Sequence, residues 1–243
     1  MAAGSAGLGF AAAAALAAEG VDVAICGRDP LRLTEAVNAL GEVATGAWPL
    51  GLEADMGTAE GAEEFAAHAA DALGGPIDIL VANAGGPPPG TFATTDLDAY
   101  RTALELNCLS TIAMCRAAVP GMQERGWGRV VAITSIGARQ PIGFLAASST
   151  ARAAVTGFLK VLSTEVAADG VTVNNLQPGT HRTDRIRKLG GAQLDGLRAD
   201  IPAGAPGDPA DFGAVAAFLC SEQARFVTGV GLHVDGGAYR GLQ

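Results

Sequence analysis

Short apolar runs that alternate with longer helical stretches constrain this chain most strongly. Five runs have the composition of buried strands, and the stretches between them have the length and pattern of helices. This alternation is typical of a parallel β-sheet with helices on both faces, because parallel strands need long crossover connections. The predicted strands are 21–25, 77–81, 129–134, 171–176 and 231–234, and the predicted helices are 10–18, 31–40, 59–73, 97–123, 146–168 and 208–220.

No repeat, linker or change of composition divides the 243 residues. We therefore expect one α/β domain over residues 1–243, with a Rossmann-type, doubly wound parallel sheet in three layers. Such a sheet begins with a strand that leads into a Gly-rich loop, but here the loop comes first. We expect the first strand to be missing, with the true start of the protein further upstream or a neighbouring segment in the gap. A Gly/Pro-rich stretch, 190–209, is long enough to cover a site.

Composition excludes several classes of protein. The net charge of −9 argues against a nucleic-acid partner. Four cysteines without CxxC spacing indicate buried apolar residues in a reducing compartment rather than a metal site or a disulfide framework. The first 18 residues are uncharged, but they lack a basic start and are only weakly hydrophobic, so we interpret them as neither a signal peptide nor a membrane span. A cytoplasmic protein without a metal or membrane partner is expected.

The Gly-rich loop, residues 4–9, precedes an Ala-rich helix. Glycines allow a ligand to approach the backbone closely, and a helix N-terminus offers N–H donors to an anion. We predict a phosphate-binding loop, to which Ser5, Gly7, Leu8 and Gly9 contribute. The alternative is a flexible N-terminus.

The strand predicted at 21–25 indicates which dinucleotide is preferred. An acidic residue at its tip would bind a ribose 2′-hydroxyl and repel a 2′-phosphate, but Cys26 occupies the tip and Arg28 follows. An arginine offers a planar pair of donors to a phosphate, which favours NADP(H) over NAD(H). Arg28 could instead pair with Asp29, and Asp29 could turn toward the ribose.

Further motifs follow at regular positions. Ser135 comes directly after the strand predicted at 129–134, Ser148 lies thirteen residues later, and Arg152 four residues after that. In their order and spacing, these motifs resemble the short-chain dehydrogenase/reductase family over nearly the whole chain. The motifs that carry the resemblance are Gly7 and Gly9, Asp55 with Met56, Asn83-Ala84-Gly85, Asn107, Ser135, Pro178-Gly179 with Thr183, Val227-Thr228-Gly229 and Asp235-Gly236-Gly237.

The resemblance implies a role for most of these residues. It implies that Asp55 and Met56 lie at the adenine, that 83–85 supports the adenine ribose, and that Asn107 holds a water of a proton relay. Pro178, Gly179 and Thr183 would lie beside the nicotinamide carboxamide. Ala2 and Ala3 depart from the family pattern, since they stand where the family has Thr and its first Gly.

The resemblance also implies that the catalytic centre is altered. Ser148 stands where the family has a proton-donating Tyr, and Arg152 where it has a Lys. A serine hydroxyl is a poor acid at neutral pH, whereas Arg152 can still bind the nicotinamide ribose and Ser135 can still polarise a substrate. Neither Tyr100 nor Tyr239 has the spacing to substitute. A replacement acid is His181, whose imidazole titrates near neutrality; the alternative is an ordinary loop histidine.

The leading interpretation is an NAD(P)(H)-dependent oxidoreductase that resembles carbonyl reductases, alcohol dehydrogenases and 3-oxoacyl-carrier-protein reductases, with NADP(H) favoured. Its substrate would be a small molecule, and an anionic one if Arg139, Arg152 and Arg182 face it rather than solvent. The resemblance further implies a homotetramer or homodimer. The alternatives are a dinucleotide-binding protein without catalytic activity and a non-redox lyase of the dehalogenase type.

Overall fold

The computed structural model, which describes residues 4–187, 196 and 198–242, confirms the predicted alternation of strands and helices. The strands are β1 (Ala24–Gly27), β2 (Leu50–Glu53), β3 (Ile79–Asn83), β4 (Gly128–Ile133), β5 (Val171–Pro178) and β6 (Gly231–Val234). The α-helices are α1 (Gly7–Ala18), α2 (Pro30–Gly41), α3 (Ala59–Leu73), α4 (Leu97–Leu104), α5 (Ser110–Arg125), α6 (Ala146–Glu165), α7 (Asp184–Arg187) and α8 (Pro209–Cys220).

All the strand pairs are parallel, and they form two sheets. One sheet contains β1 and β2, and the other has the order β3-β4-β5-β6. In the central pair, Val131 lies opposite Asn174, and β4 is buried along its whole length. The α/β fold class is therefore as predicted. Among the described residues, no strand joins β1 to β3, so the sheet is divided at the place where the first strand was expected to be missing.

The sequence pattern missed β2. This strand has the residues Leu-Gly-Leu-Glu, and its side chains alternate between half-buried and exposed. Among the described strands it pairs only with β1, so it is an edge strand, and edge strands do not need the apolar run that is typical of a strand covered on both faces. Its position follows from pairing with β1, which places Ala24 opposite Leu50.

The single helix predicted over 97–123 is interrupted. A π-helical turn, Glu105–Leu109, separates α4 from α5 and contains Asn107. A π turn inserts an additional residue into the helix, which turns the side chains that follow it, and such turns occur frequently at functional sites. Periodicity over the whole stretch predicted helix correctly but did not predict this local change.

Two apolar clusters lie on opposite faces of the strands. One contains side chains of α1, α8 and alternate strand residues such as Ile25 and Val131. The other contains side chains of α3, α5 and α6, with Ala24 and Val130. Because successive strand residues point to opposite faces, β1, β3, β4 and β5 contribute to both clusters.

All four cysteines are buried and unbridged. Burial raises the pKa of the Cys115 and Cys220 thiols to about 12, which keeps them protonated and unreactive. None of the helices in the described part of the chain is long and apolar enough to cross a bilayer.

We expect the contact between α1 and α8 to tolerate no side chain at Gly213. A Cβ there would lie 2.3 Å from the carbonyl oxygen of Ala11, so Gly213→Ala should lower the free energy of unfolding by about 1–3 kcal/mol. The matched control is Gly157→Ala on α6, where no atom lies within 4 Å of the added carbon; its greater helix propensity should raise the free energy by about 0.5–1 kcal/mol. Urea unfolding followed by circular dichroism measures both. Equal effects would contradict the packing described.

Candidate active site

Three of the predicted catalytic side chains lie where β4 ends and α6 begins. Ser135 follows β4, and its hydroxyl accepts a hydrogen bond from the Gly137 N–H at 3.0 Å. Ser148 and Arg152 lie one turn apart on α6, and Arg152 Nε donates to Ser148 Oγ at 3.3 Å. Arg152 also donates through Nη1 to the carbonyl oxygen of Ile133, the last residue of β4, at 3.4 Å. The guanidinium therefore links the end of the strand to the serine.

The start of α6 is fixed by contacts that the sequence did not indicate. Gly90 and Leu145 form a parallel bridge, in which the Gly90 N–H donates to Phe144 and the Ala146 N–H donates to Gly90. Ser149 Oγ accepts from the Ile142 N–H at 3.3 Å. These bonds hold the first turn of α6, so that Ser148 is only 8 % exposed.

Asn107 has an unsatisfied acceptor. Its side-chain nitrogen donates to the carbonyl oxygen of Gly85 at 2.8 Å, and the residue is 5 % exposed. Its Oδ1 is buried and has no hydrogen-bond partner within the described chain. A buried acceptor normally has a partner, so this atom suits a bound water or ligand. The predicted role of Asn107 in holding a water therefore fits the geometry, and its bond to Gly85 links it to the end of β3.

The predicted phosphate loop has the geometry of an anion site. Gly7 begins α1 with φ of +60°, a conformation that favours glycine. Ala6, at the N-cap of α1, provides no side-chain hydrogen bond to the first N–H groups, which leaves them for an anion. A Cβ on Gly7 would lie 3.6 Å from Thr183 Cγ2, so the loop and the segment after β5 approach each other. Leu8 and Gly9 follow in the first turn, and Ala2 and Ala3 lie outside the described residues.

The two charged residues after β1, Arg28 and Asp29, make different contacts. Asp29 is the N-cap of α2, and its Oδ1 accepts from the N–H groups of Leu31 and Arg32 at 3.0 and 3.3 Å. The Arg28 side chain is 77 % exposed, and its Nη1 lies 3.8 Å from Asp55 Oδ1. Asp29 therefore stabilises a helix, and Arg28 lies near the acidic residue predicted at the adenine.

Four other predicted cofactor residues, Met56 and 83–85, lie after β2 and at the end of β3. Met56 is buried in the cluster under α3 and α5, so its side chain packs in the core and only its backbone can face a ligand. Asn83 ends β3, and Ala84 and Gly85 continue outward from it, with no atom within 4 Å of a Cβ added at Gly85. The turn after β3 thus leaves room for a ligand.

The segment after β5 holds the remaining predicted residues. The Gly179 N–H donates to Val234, and a Cβ on Gly179 would lie 2.8 Å from that of Asp235, so only glycine fits. Pro178 ends β5. The Thr183 N–H donates to the carbonyl oxygen of His181 at 2.7 Å. These bonds fix the backbone that carries the predicted carboxamide contacts.

The ring of His181 lies in the packing between this segment and α8. It is 5 % exposed, its edge meets the ring of Phe212 with centroids 5.3 Å apart, and its Nδ1 lies 3.3 Å from the carbonyl oxygen of Gly179. Burial lowers the pKa of His181 and favours the neutral ring. Within the described chain, its contacts are with these groups rather than with Ser135, Ser148 or Arg152, and its catalytic role stays a prediction.

The arginines predicted to bind an anionic substrate have separate surroundings. Arg182 Nη2 lies 2.5 Å from Asp208 Oδ2, an ion pair that offsets its charge. The Arg139 guanidinium lies 6.0 Å from the ring centre of Tyr239. Arg152, through its bond to Ser148, is the member of the set that lies at the site. Part of the stretch 190–209 lies outside the described residues; within the rest, Gly207 pairs with Thr180 and Arg182.

Comparison with known proteins shows the family of the chain. The chain matches, over residues 2–239, the family model described as Enoyl-(Acyl carrier protein) reductase. It is 36 % identical to the 3-oxoacyl-[acyl-carrier-protein] reductase of Vibrio cholerae over 169 residues, which are 70 % of this chain and 69 % of the relative. It is 34 % identical to dehydrogenase/reductase SDR family member 4 of Oryctolagus cuniculus over 235 residues, 96 % of this chain and 89 % of the relative.

Comparison with solved structures also finds a reductase of the same fold. L-sorbose reductase from Gluconobacter frateurii, complexed with NADPH and L-sorbose, is similar with a TM-score of 0.92 and 30 % identity, covering 100 % of this chain and 96 % of that one. The parallel sheet and these similarities define a dinucleotide-dependent oxidoreductase. The chain belongs to the short-chain dehydrogenase/reductase family and is an NAD(P)-dependent enzyme of that family.

The capping role of Asp29 gives a prediction. Asp29→Ala should lower the free energy of unfolding by about 1 kcal/mol, because α2 loses its cap, whereas Asp29→Asn, which also caps, should change it little. Neither variant should alter the ratio of NADH to NADPH affinity. Chemical unfolding and nicotinamide fluorescence titration measure the two effects. A selective loss of NADH affinity would instead assign Asp29 to the ribose.

Proposed function

We propose that this protein is an NADP(H)-dependent carbonyl reductase or alcohol dehydrogenase in which Ser148 and Arg152 occupy the positions of the family's Tyr and Lys. The hydrogen bond from Arg152 to Ser148 carries the proposal, because it joins both altered positions in one unit beside Ser135. When bound, the nicotinamide supplies or accepts a hydride. The side chains must then bind, orient and polarise the substrate oxygen.

Ser148 can polarise the substrate although it is a poor acid. Its oxygen accepts from Arg152, which leaves its own O–H able to donate a hydrogen bond outward. The adjacent guanidinium adds a positive charge, which stabilises negative charge that develops on a substrate oxygen. Ser135 lies at the end of the neighbouring strand and can donate a second hydrogen bond. Without a phenol or another proton donor, we expect turnover about 10²–10⁴-fold below that of an otherwise equivalent site.

The preference for NADP(H) is supported by the charges after β1. Asp29 is engaged by the N-terminus of α2, which removes the acid best placed to compete for a ribose hydroxyl. Arg28 is exposed, and its contact with Asp55 is long, so it can turn toward a 2′-phosphate at small cost. The solved L-sorbose reductase is complexed with NADPH, which agrees with this preference.

We expect Arg28→Ala to weaken NADPH binding about tenfold, because one charge-assisted contact to the 2′-phosphate is lost. NADH affinity should change less than about twofold, since NADH has no such phosphate. Arg32→Ala provides the matched control, because Arg32 is exposed on α2 just beyond, and it should alter neither affinity. Fluorescence titration with both dinucleotides measures this. Parallel losses of NADPH and NADH affinity would contradict the assignment of Arg28.

The double variant Ser148→Tyr/Arg152→Lys should raise kcat by about 10²–10⁴-fold, because it supplies a phenol and a lysine that lowers the pKa of the phenol. Arg152→Lys alone should not raise kcat, since it supplies no acid. Turnover with NADPH is measured on an acetoacetyl thioester and on L-sorbose, the substrate classes named in two relatives.

One outcome would favour a different function. If NADPH binds the native chain and the double variant equally well, yet neither turns over a broad set of carbonyl compounds, the protein would be a dinucleotide-binding member of the family without catalysis. The bond that ties Ser148 to Arg152 is the observation that keeps this second candidate open, because it engages both altered side chains with each other.

A further inference from the structure

A cavity of about 270 Å³ lies between the middle of α6, β5 and the beginning of β6. Two cationic residues, Arg139 and Lys160, contribute to its lining, and the part of the chain that the structure describes places no acidic residue there. None of the predicted catalytic residues lines it either. The cavity is therefore a second polar site, which lies further along α6 than the candidate active site.

The amide of Gln177 is the central polar group of this cavity. The residue is 0 % exposed, and its Oε1 and Nε2 are both buried without a hydrogen-bond partner among the described residues. A Cβ added at Gly231, which also lines the cavity, would lie 2.9 Å from Nε2. Buried amides are normally paired, so Nε2 requires an acceptor and Oε1 requires a donor.

The other neutral polar side chains in the lining already have partners. Asn175 Nδ2 donates to Thr156 Oγ1 at 2.9 Å, and Asn175 Oδ1 accepts from Thr134 Oγ1 at 2.6 Å. Thr156 Oγ1 in turn donates to the carbonyl oxygen of Arg152 at 2.8 Å. These bonds fix one wall of the cavity, and they leave the hydrogen-bonding capacity of Gln177 open.

The two cations also have capacity for a ligand. Lys160 Nζ donates to the carbonyl oxygen of Gly229 at 3.2 Å, and an ammonium group has two further N–H donors. The Arg139 guanidinium lies 6.0 Å from the ring centre of Tyr239. Neither cation forms an ion pair within the described part of the chain. Both are exposed, so they lie at the mouth of the cavity, where they attract an anion.

Apolar side chains complete the lining and favour an organic anion. Leu159 and Val173 are 3 % and 1 % exposed, and Val230 lies nearer the surface. A short hydrocarbon chain would gain from contact with these side chains, whereas an inorganic anion would not. The volume lies below that of pockets for drug-sized molecules, so it suits a small ligand.

We propose that this cavity binds a short-chain 2-hydroxycarboxylate. The hydroxyl of the ligand donates to Gln177 Oε1, and one carboxylate oxygen accepts from Gln177 Nε2. The carboxylate is attracted by Arg139 and Lys160, and the carbon chain packs on Leu159 and Val173. Because no predicted catalytic residue takes part, the proposal does not depend on the function proposed above.

Isothermal titration calorimetry of the native chain tests the chemistry of the ligand. We expect 2-hydroxybutyrate to bind with a Kd of about 1 mM, as suits a ligand of this size. Butyrate should bind about five- to tenfold more weakly, because Gln177 Oε1 then lacks its donor. The neutral 2-hydroxybutyramide should bind at least about tenfold more weakly, because it loses the charge-assisted bonds. Inorganic phosphate that binds as tightly as 2-hydroxybutyrate would contradict the proposal.

Variants of the lining locate the site. Gln177→Met, an apolar replacement of similar length, should abolish the difference between 2-hydroxybutyrate and butyrate. Lys160→Gln should weaken both acids about fivefold or more, whereas Arg225→Gln, which removes an exposed cation outside the lining, should change neither. Circular dichroism checks that each variant is folded. Since Lys160 is exposed, its variant keeps the test decisive even if Gln177→Met does not fold.

Three outcomes would overturn the proposal. Unchanged affinity for 2-hydroxybutyrate in both lining variants would place its binding elsewhere, for example in the candidate active site. A failure of both acids to bind the native chain would mean that water satisfies Gln177. If, in addition, Lys160→Gln produced a smaller species in size-exclusion chromatography, the cations would serve a contact between copies of the chain.

Discussion

Parallel pairing of β3, β4 and β5 is the constraint on which the candidate site depends. In parallel strands the carboxyl ends meet at one edge, so residues that are far apart in the chain come together without direct bonding between them. Ser135 after β4, Gly85 after β3 and Gly179 after β5 share that edge because the register of the ladder places them there. The helices that follow each strand then determine which additional side chains reach it.

Hydrogen bonds within the site determine which groups remain available for chemistry. Asp29 would compete for a ribose hydroxyl if it were free, but it caps α2. Arg182 would attract an anion, but its charge is paired with Asp208. Asn107 donates from its amide to Gly85, and its Oδ1 has no hydrogen-bond partner among the described residues. The chemistry of the site therefore depends on which polar groups already have a hydrogen-bond or ion-pair partner within the protein.

Much of this arrangement could be predicted from the chain. Strands β4 and β5 are buried along their whole length and are rich in Val, Ile and Leu, which is why they were predicted to within two residues, while the edge strand β2 is only half-buried and was missed. The motif spacing selected Ser135, Ser148 and Arg152, and the fold brings them together. Periodicity could not reveal the π turn at Asn107 or the burial of His181, because both depend on what packs against them.

The sequence by itself determined the class of fold and the order of its elements, and it predicted the phosphate loop and the roles of Ser148 and Arg152. These follow from local pattern and spacing, which the chain contains in full. Only the tertiary structure decided that Asp29 caps a helix, that Met56 and His181 point into the interior, and that a π-helical turn carries Asn107. Each of these depends on contacts between distant segments, whose geometry is set when the layers pack together.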